Sequence, residues 1–433
     1  MSLRRTLGSI FVFWVPLAAT WLMMSLEGPL LAAIIARLAD PKFNLAAHGV
    51  AYAWAILVEA PVIMIMSAST ALATSAIAFR RLRAFTYGLN VMVTLAMLVV
   101  LIPPVFRFLM QGLIGLPPEV ADLTYLALWI LLPWPGAIGY RRFYQGLLIR
   151  SGRTRLVAYG TVLRLLSMAG TALVLYFVAR LPGAAVGAAA LSAGVCLEAV
   201  SSRFMARRTV RELLATEEPA GSSALGYGRI WEFYYPLALT SVIGLAVQPL
   251  LTFFMGRAAS PVESLAVYPV VHALSFMFRA LGLSYQEAAI ALMGDRFEHH
   301  REVGRFAAIL GVGASVGLAL IAFTPLAGFW FETISGLTPT LADFAIWPTR
   351  VLVILPALSV LLSYQRAILV VGRRTAPVTW ATASEVLGVG VLFTVLGGYF
   401  GIVGVVAATL AFVGGRISAN LFLLRPCLRA VRS

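Results

Sequence analysis

The chain has 433 residues, 61% of them hydrophobic and only 12% charged, with a mean hydropathy of +0.91. A soluble domain cannot hide that much apolar surface, whereas a bundle of membrane helices must present it to lipid. The net charge of +15 does not imply a nucleic-acid partner, because the basic residues fall in short clusters between apolar runs and form no long basic face.

In chain order, the N-terminal stretch MSLRRTLGSIFVFWVPLAATW opens like a signal peptide, with Arg4 and Arg5 ahead of an apolar run. The run continues through Glu27 to Ile35, too long for a signal-peptide core and without a clear small-residue cleavage site, so it reads as a retained first membrane helix. Apolar segments of spanning length recur at about 8–36, 45–78, 84–109, 122–149, 155–179 and 183–206. After a polar break they resume at about 232–257, 264–293, 304–328, 342–371, 376–397 and 401–424. The fold class expected is an all-α polytopic membrane protein, with twelve transmembrane helices in two six-helix lobes related by a pseudo-twofold axis. The break, residues 207–229, is rich in Pro, Gly and Ser and reads as a cytoplasmic linker between lobes at 1–206 and 230–433.

Arginines orient the spans. On one side lie Arg4, Arg5, Arg80, Arg81, Arg83, Arg150, Arg153, Arg155, Arg203, Arg207, Arg208, Arg211 and Arg229, with Arg296, Arg301, Arg305, Arg373, Arg374, Arg425, Arg429 and Arg432. The opposite side offers Arg37, Lys42, Arg107, Arg180 and Arg257, a bias of 21 against 5. By the positive-inside rule both termini are cytoplasmic. Lys42 is the sole lysine, a bias that fits a high-GC bacterial genome and hence the bacterial inner membrane.

The two halves are copies. Pro16, Thr20, Pro29 and Arg37 match Pro236, Thr240, Pro249 and Arg257, each at an offset of 220. The same offset pairs Tyr144-Gln145 with Tyr364-Gln365 and Gly152-Arg153 with Gly372-Arg373. One ungapped register across so many spans marks a duplication. Six spans per copy make the repeats parallel, the arrangement suited to alternating access. Pro16, Pro29, Pro236 and Pro249 are candidate hinges, since each removes a helical hydrogen bond.

Ionisable residues inside spans are costly, about 2.5–3.5 kcal/mol each on insertion scales, and mark a partner or a cavity. Glu27, Glu59, Glu198 and Glu385 lie near mid-span, as do Arg164, Arg279 and Arg416, and His272 lies in an apolar helix. These eight are the candidate substrate- or ion-binding residues. Arg350, Arg366 and Glu287 are read instead as reaching toward the interface. Glu59 and Arg279 match at the 220-residue offset, which predicts a pair across the pseudo-twofold axis, whereas Glu27 faces Val247 in the other copy. Mid-span arginines imply a cationic cavity that prefers anions, and Glu27 is assigned the loading and release of a coupling proton. No G-x-S-x-G or H-E-x-x-H pattern occurs, and Glu298–His300 fall in a charged loop, so no catalytic or metal residue is assigned and no enzymatic activity is expected. No P-loop is present, so the expected driving force is a gradient of protons or sodium ions, without other cofactors.

The proline-bearing first and seventh spans, the two six-helix lobes and the acid in the N-terminal lobe resemble the multidrug/oligosaccharidyl-lipid/polysaccharide (MOP) exporter superfamily, to which MATE transporters belong. Within it, FWVPLA, LAAHGVAY and YYPLAL look most like the progressive ankylosis (ANKH) type. That resemblance implies export of small organic or phosphorylated anions, with Arg279 placed as a counter-charge; the expected partners are the bilayer and the substrate, and the expected state is a monomer. The alternatives are a MATE-type multidrug antiporter and a lipid-linked glycan flippase. Against the first, the Gln-Ala-x-Gly segment of drug-extruding members is replaced here by AIAFRRLRAF.

Overall fold

The computed structural model describes residues 6–178, 180–215, 225–294, 297–372, 374 and 376–432. Arg4, Arg5, Arg296 and Arg373 of the orientation count, and residues 216–224 of the connector, lie outside them. The described residues form twelve helical spans long and apolar enough to cross a bilayer. In order these are Leu7–Ala36, Pro41–Leu72, Ala76–Leu101, Pro118–Arg150, Thr154–Val178 and Gly183–Met205. They continue as Tyr227–Gly256, Pro261–Leu292, His300–Phe323, Pro339–Val371, Ala376–Tyr399 and Gly404–Val431. Exposed side chains such as Leu166, Phe177, Val312, Trp380 and Leu387 supply the apolar surface that lipid covers.

All twelve expected spans are present, and the third is displaced most from its expected position. It starts at Ala76, not near 84, because Ser75 caps it: the Ser75 hydroxyl accepts from the Ala78 amide at 3.2 Å. Arg80, Arg81 and Arg83 therefore ride on its first two turns. In the connector, the helix Arg207–Leu214 is held by Arg153, whose guanidinium donates to Thr209 Oγ1 at 2.8 Å and to Glu212 Oε1 at 2.7 Å. Those bonds, with a second from Arg208, hold the exposed Glu212 carboxyl below its ordinary range.

The duplication reappears as paired local geometry. Asp40 and Ser260, 220 apart, both adopt the left-handed backbone conformation, at φ 49° and 53°, just before Pro41 and Pro261 start the second and eighth spans. One turn on, the side chains of Asn44 and Ser264 cap the sixth and twelfth spans. Asn44 Oδ1 accepts from the Ala184 amide at 2.9 Å, and Ser264 Oγ from the Val405 amide at 3.1 Å. Thr20 and Thr240 likewise donate to the carbonyls of Pro16 and Pro236, at 3.2 and 2.9 Å.

Not every proline interrupts its helix. Pro16 and Pro236 lie within the continuous helices Leu7–Ser25 and Tyr227–Leu245. The interruptions fall at Leu26 and Ala246, three residues before Pro29 and Pro249, where the missing proline amide leaves the helix short of a donor. The second span breaks as well, with a 3₁₀ turn at Ala60–Val62 around Pro61, whereas its repeat partner Pro261–Leu292 is unbroken.

The packing units differ from the boundaries drawn at 1–206 and 230–433. One unit comprises Met1–Arg37 with Leu250–Ser433, and the other Leu38–Pro249. Each repeat has therefore given its opening helix to the other's unit, and one aromatic anchors each exchange. Trp14 is buried, donates Nε1–H to Ser284 Oγ at 2.9 Å and packs edge-on against Phe306. Its repeat counterpart Tyr234 donates its hydroxyl to the carbonyl of Pro61 and packs on Phe85. The aromatic-x-Pro motif that opens each copy is thus the docking residue of the exchanged helix.

Candidate functional site

In the unit Leu38–Pro249, Glu59 ends the first helix of the second span, beside the Pro61 break. Its carboxylate accepts from the Trp134 indole, and the charges of Arg141, Arg142 and Arg164 act on it. Glu198 is fully buried on the sixth span and gathers three partners. Arg141 pairs with it, Arg164 Nε lies 3.6 Å away, and Gln145 Nε2 donates at 3.0 Å. Two carboxylates thus face three guanidiniums. Arg141, Arg142 and Trp134 escaped the sequence reading. The signal was present in GYRRFYQ, which sets two arginines about 12–14 Å inside the end of the fourth span.

In the unit Met1–Arg37 with Leu250–Ser433, Glu27 is half-buried in the first turn of Glu27–Ala36, where the amide end of a helix favours a carboxylate. The adjacent Gly28 approaches Ala273 so closely that a Cβ there would sit 3.0 Å from the alanine methyl. This places Glu27 on the stretch of the eighth span that carries His272. His272 stacks among Tyr268, Phe276 and Phe412, and its Nε2 lies 3.4 Å from an Arg279 nitrogen. Arg279 is buried and lies over the Phe412 ring at 4.8 Å. Glu385 and Arg416 form a buried ion pair with contacts of 2.9 and 2.8 Å. Arg366 belongs here too. Instead of reaching the interface it donates to Thr382 Oγ1 at 3.3 Å, one turn from Glu385. Arg350 donates to the Ala322 carbonyl at 3.2 Å and lies over the Trp347 ring, and Glu287 is exposed.

Polarity is reversed between the repeats. The second span carries Glu59 where the eighth carries Arg279. The fifth and sixth spans pair Arg164 with Glu198, whereas the eleventh and twelfth pair Glu385 with Arg416. Even the imidazole–phenol stack is inverted, as His48 over Tyr52 in one copy and Tyr268 beside His272 in the other. Glu59 and Arg279, expected to meet, are each engaged inside their own unit, Glu59 by Trp134 and Arg279 by His272 and Phe412.

No family model and no curated protein sequence matches the chain. Solved structures do. An inward-facing multidrug resistance MATE family transporter of the MOP superfamily superposes with a TM-score of 0.71 at 14% identity, covering 96% of this chain and 98% of its own. The fold is that of the MOP transporters. A MOP superfamily transporter from Pyrococcus furiosus, described as having a binding pocket of reverse polarity that suggests a different function, gives 0.66 at 14% identity over 99% and 98% of the two chains. The lipid II flippase MurJ gives 0.67 at 13% identity over 96% and 90%. On this MOP-type fold Glu27, His272, Arg279, Glu385 and Arg416 fall in one unit, and Glu59, Arg164 and Glu198 in the other. Among the described residues no cluster of three or more His, Cys, Asp or Glu could hold a metal ion.

Proposed function

We propose that the chain is a secondary active transporter of the MOP type that exports a small organic or phosphorylated anion by alternating access. The observation that carries the sign of the substrate is Arg279. Its guanidinium is buried at 8% exposure, among a histidine and aromatic rings, and no carboxylate is bonded to it among the described residues. A permanently charged group kept there has use for an anion. The resemblance of the aromatic-x-Pro-Leu motifs to the ANKH type supports the same class. The arginine-rich ends of the spans are placed in the cytoplasm of a bacterial cell, and a proton or sodium ion carried at Glu27 is the coupling ion. In proteoliposomes, Arg279→Gln is expected to cut anion transport on the order of 100-fold, the scale of losing one buried charge contact, while the melting temperature holds. Glu27→Gln should retain binding but lose its dependence on the proton or sodium gradient. Anion transport by Arg279→Gln at the wild-type rate would refute the assignment of substrate sign.

A further inference from the structure

Around Glu385, in the unit Met1–Arg37 with Leu250–Ser433, guanidiniums outnumber carboxylates. Three guanidiniums, Arg279, Arg366 and Arg416, act on one another through Arg416, and the acid acting on both Arg279 and Arg366 is Glu385. Arg416 consumes that acid, since both its Nε and Nη2 go to Glu385 Oε1. What remains for the other two is neutral. Arg279 has an imidazole and the faces of Phe412 and Phe276, and Arg366 has the Thr382 hydroxyl. In each the Nε–H is buried and without an acceptor. A ring face or a hydroxyl orients a guanidinium but cannot neutralise it, and a buried donor without an acceptor is destabilising.

We infer that Arg279, Arg366 and Arg416, spaced around Glu385, form a site within this one unit for a doubly charged anion of the phosphate-ester type. This names the valence of the anion in the function proposed above and rests on that reading. The chemistry follows from the count. One negative charge would leave one of the two guanidiniums uncompensated, whereas two match the excess. Planar guanidinium forks donate to phosphate oxygens in pairs, so the Nε–H groups of Arg279 and Arg366 that lack an acceptor are the donors left for them. Phe412 holds the arrangement, carrying Arg279 at 4.8 Å and Arg416 at 5.7 Å from its ring centre. Arg366, read from sequence as an interface residue, thereby becomes a specificity residue that distinguishes dianions from monoanions.

The test compares methyl phosphate, a dianion at pH 8, with dimethyl phosphate, its singly charged analogue. Binding is read on the purified full-length protein in lipid-free neutral detergent at matched ionic strength. Methyl phosphate should bind at least 10-fold more tightly, and Arg366→Gln should shrink that preference to about twofold. A parallel arm uses nanodiscs containing phosphatidic acid or phosphatidylglycerol. Stabilisation by phosphatidic acid with no effect of methyl phosphate would identify a lipid headgroup as the source of the same dianion. Equal affinity of the wild-type protein for the mono- and dianion, in both arms, overturns the site whether or not Arg366→Gln folds. So does a dianion preference that Arg366→Gln leaves intact. The transport reading fails separately: it falls if methyl phosphate binds but proteoliposomes move no anion of either valence.

Discussion

Glu198→Gln is expected to lower the stability of the protein by about 3–5 kcal/mol, because it strips Arg141 and Arg164 of their shared carboxylate in a fully buried place. The Gln145 contact could survive as an amide–amide bond, but it neutralises neither guanidinium. A compensating change separates charge from shape. Adding Arg141→Met should recover part of the loss, since an apolar group of similar volume replaces a buried ion at little or no cost. Unfolding in detergent, followed by tryptophan fluorescence, checks both steps. A variant as stable as wild type would mean that water reaches the cluster and screens it.

Trp14→Ala carries the second large effect, about 3–5 kcal/mol, the usual loss for a buried tryptophan. The side chain fills a site against Phe306 and supplies the donor to Ser284 Oγ, so truncation leaves both a cavity and an unmet acceptor. Trp14→Phe should retain most of the packing and lose about 1 kcal/mol for the hydrogen bond. A cysteine-accessibility probe at Ser284 provides a second readout, because an undocked first span would expose that position. Unchanged stability and accessibility in Trp14→Ala would contradict the exchange of opening helices.

How much of this was legible beforehand depends on the kind of signal. Spans were readable because an apolar run of about twenty residues suits a bilayer and little else. The limits drawn for them erred where arginines could ride on a helix end, as at Arg80–Arg83. The duplication was readable through Pro16, Thr20 and Pro29. Its backbone signature was not, because Asp40 and Ser260 are different residues performing one turn. Glu59, Glu198 and Glu385 declared themselves by their cost in lipid. Which partner each one meets did not show, since Trp134 looks like one more apolar residue and Arg164, itself a candidate, stands 34 positions from Glu198. The exchange of opening helices rests on contacts such as Trp14 with Ser284, 270 residues apart, which no local pattern encodes.

The central claim is that this MOP-type fold moves an anion, and the sign of the transported charge tests it most directly. Proteoliposomes loaded with candidate substrates can be placed on a solid-supported membrane and the transient current recorded on substrate addition, with proton and sodium gradients clamped at zero. Organic and phosphorylated anions should each produce a current of the sign expected for negative charge, absent in Arg279→Gln, while cationic dyes produce none. A current carried by cationic drugs, with no response to any anion, would contradict the account.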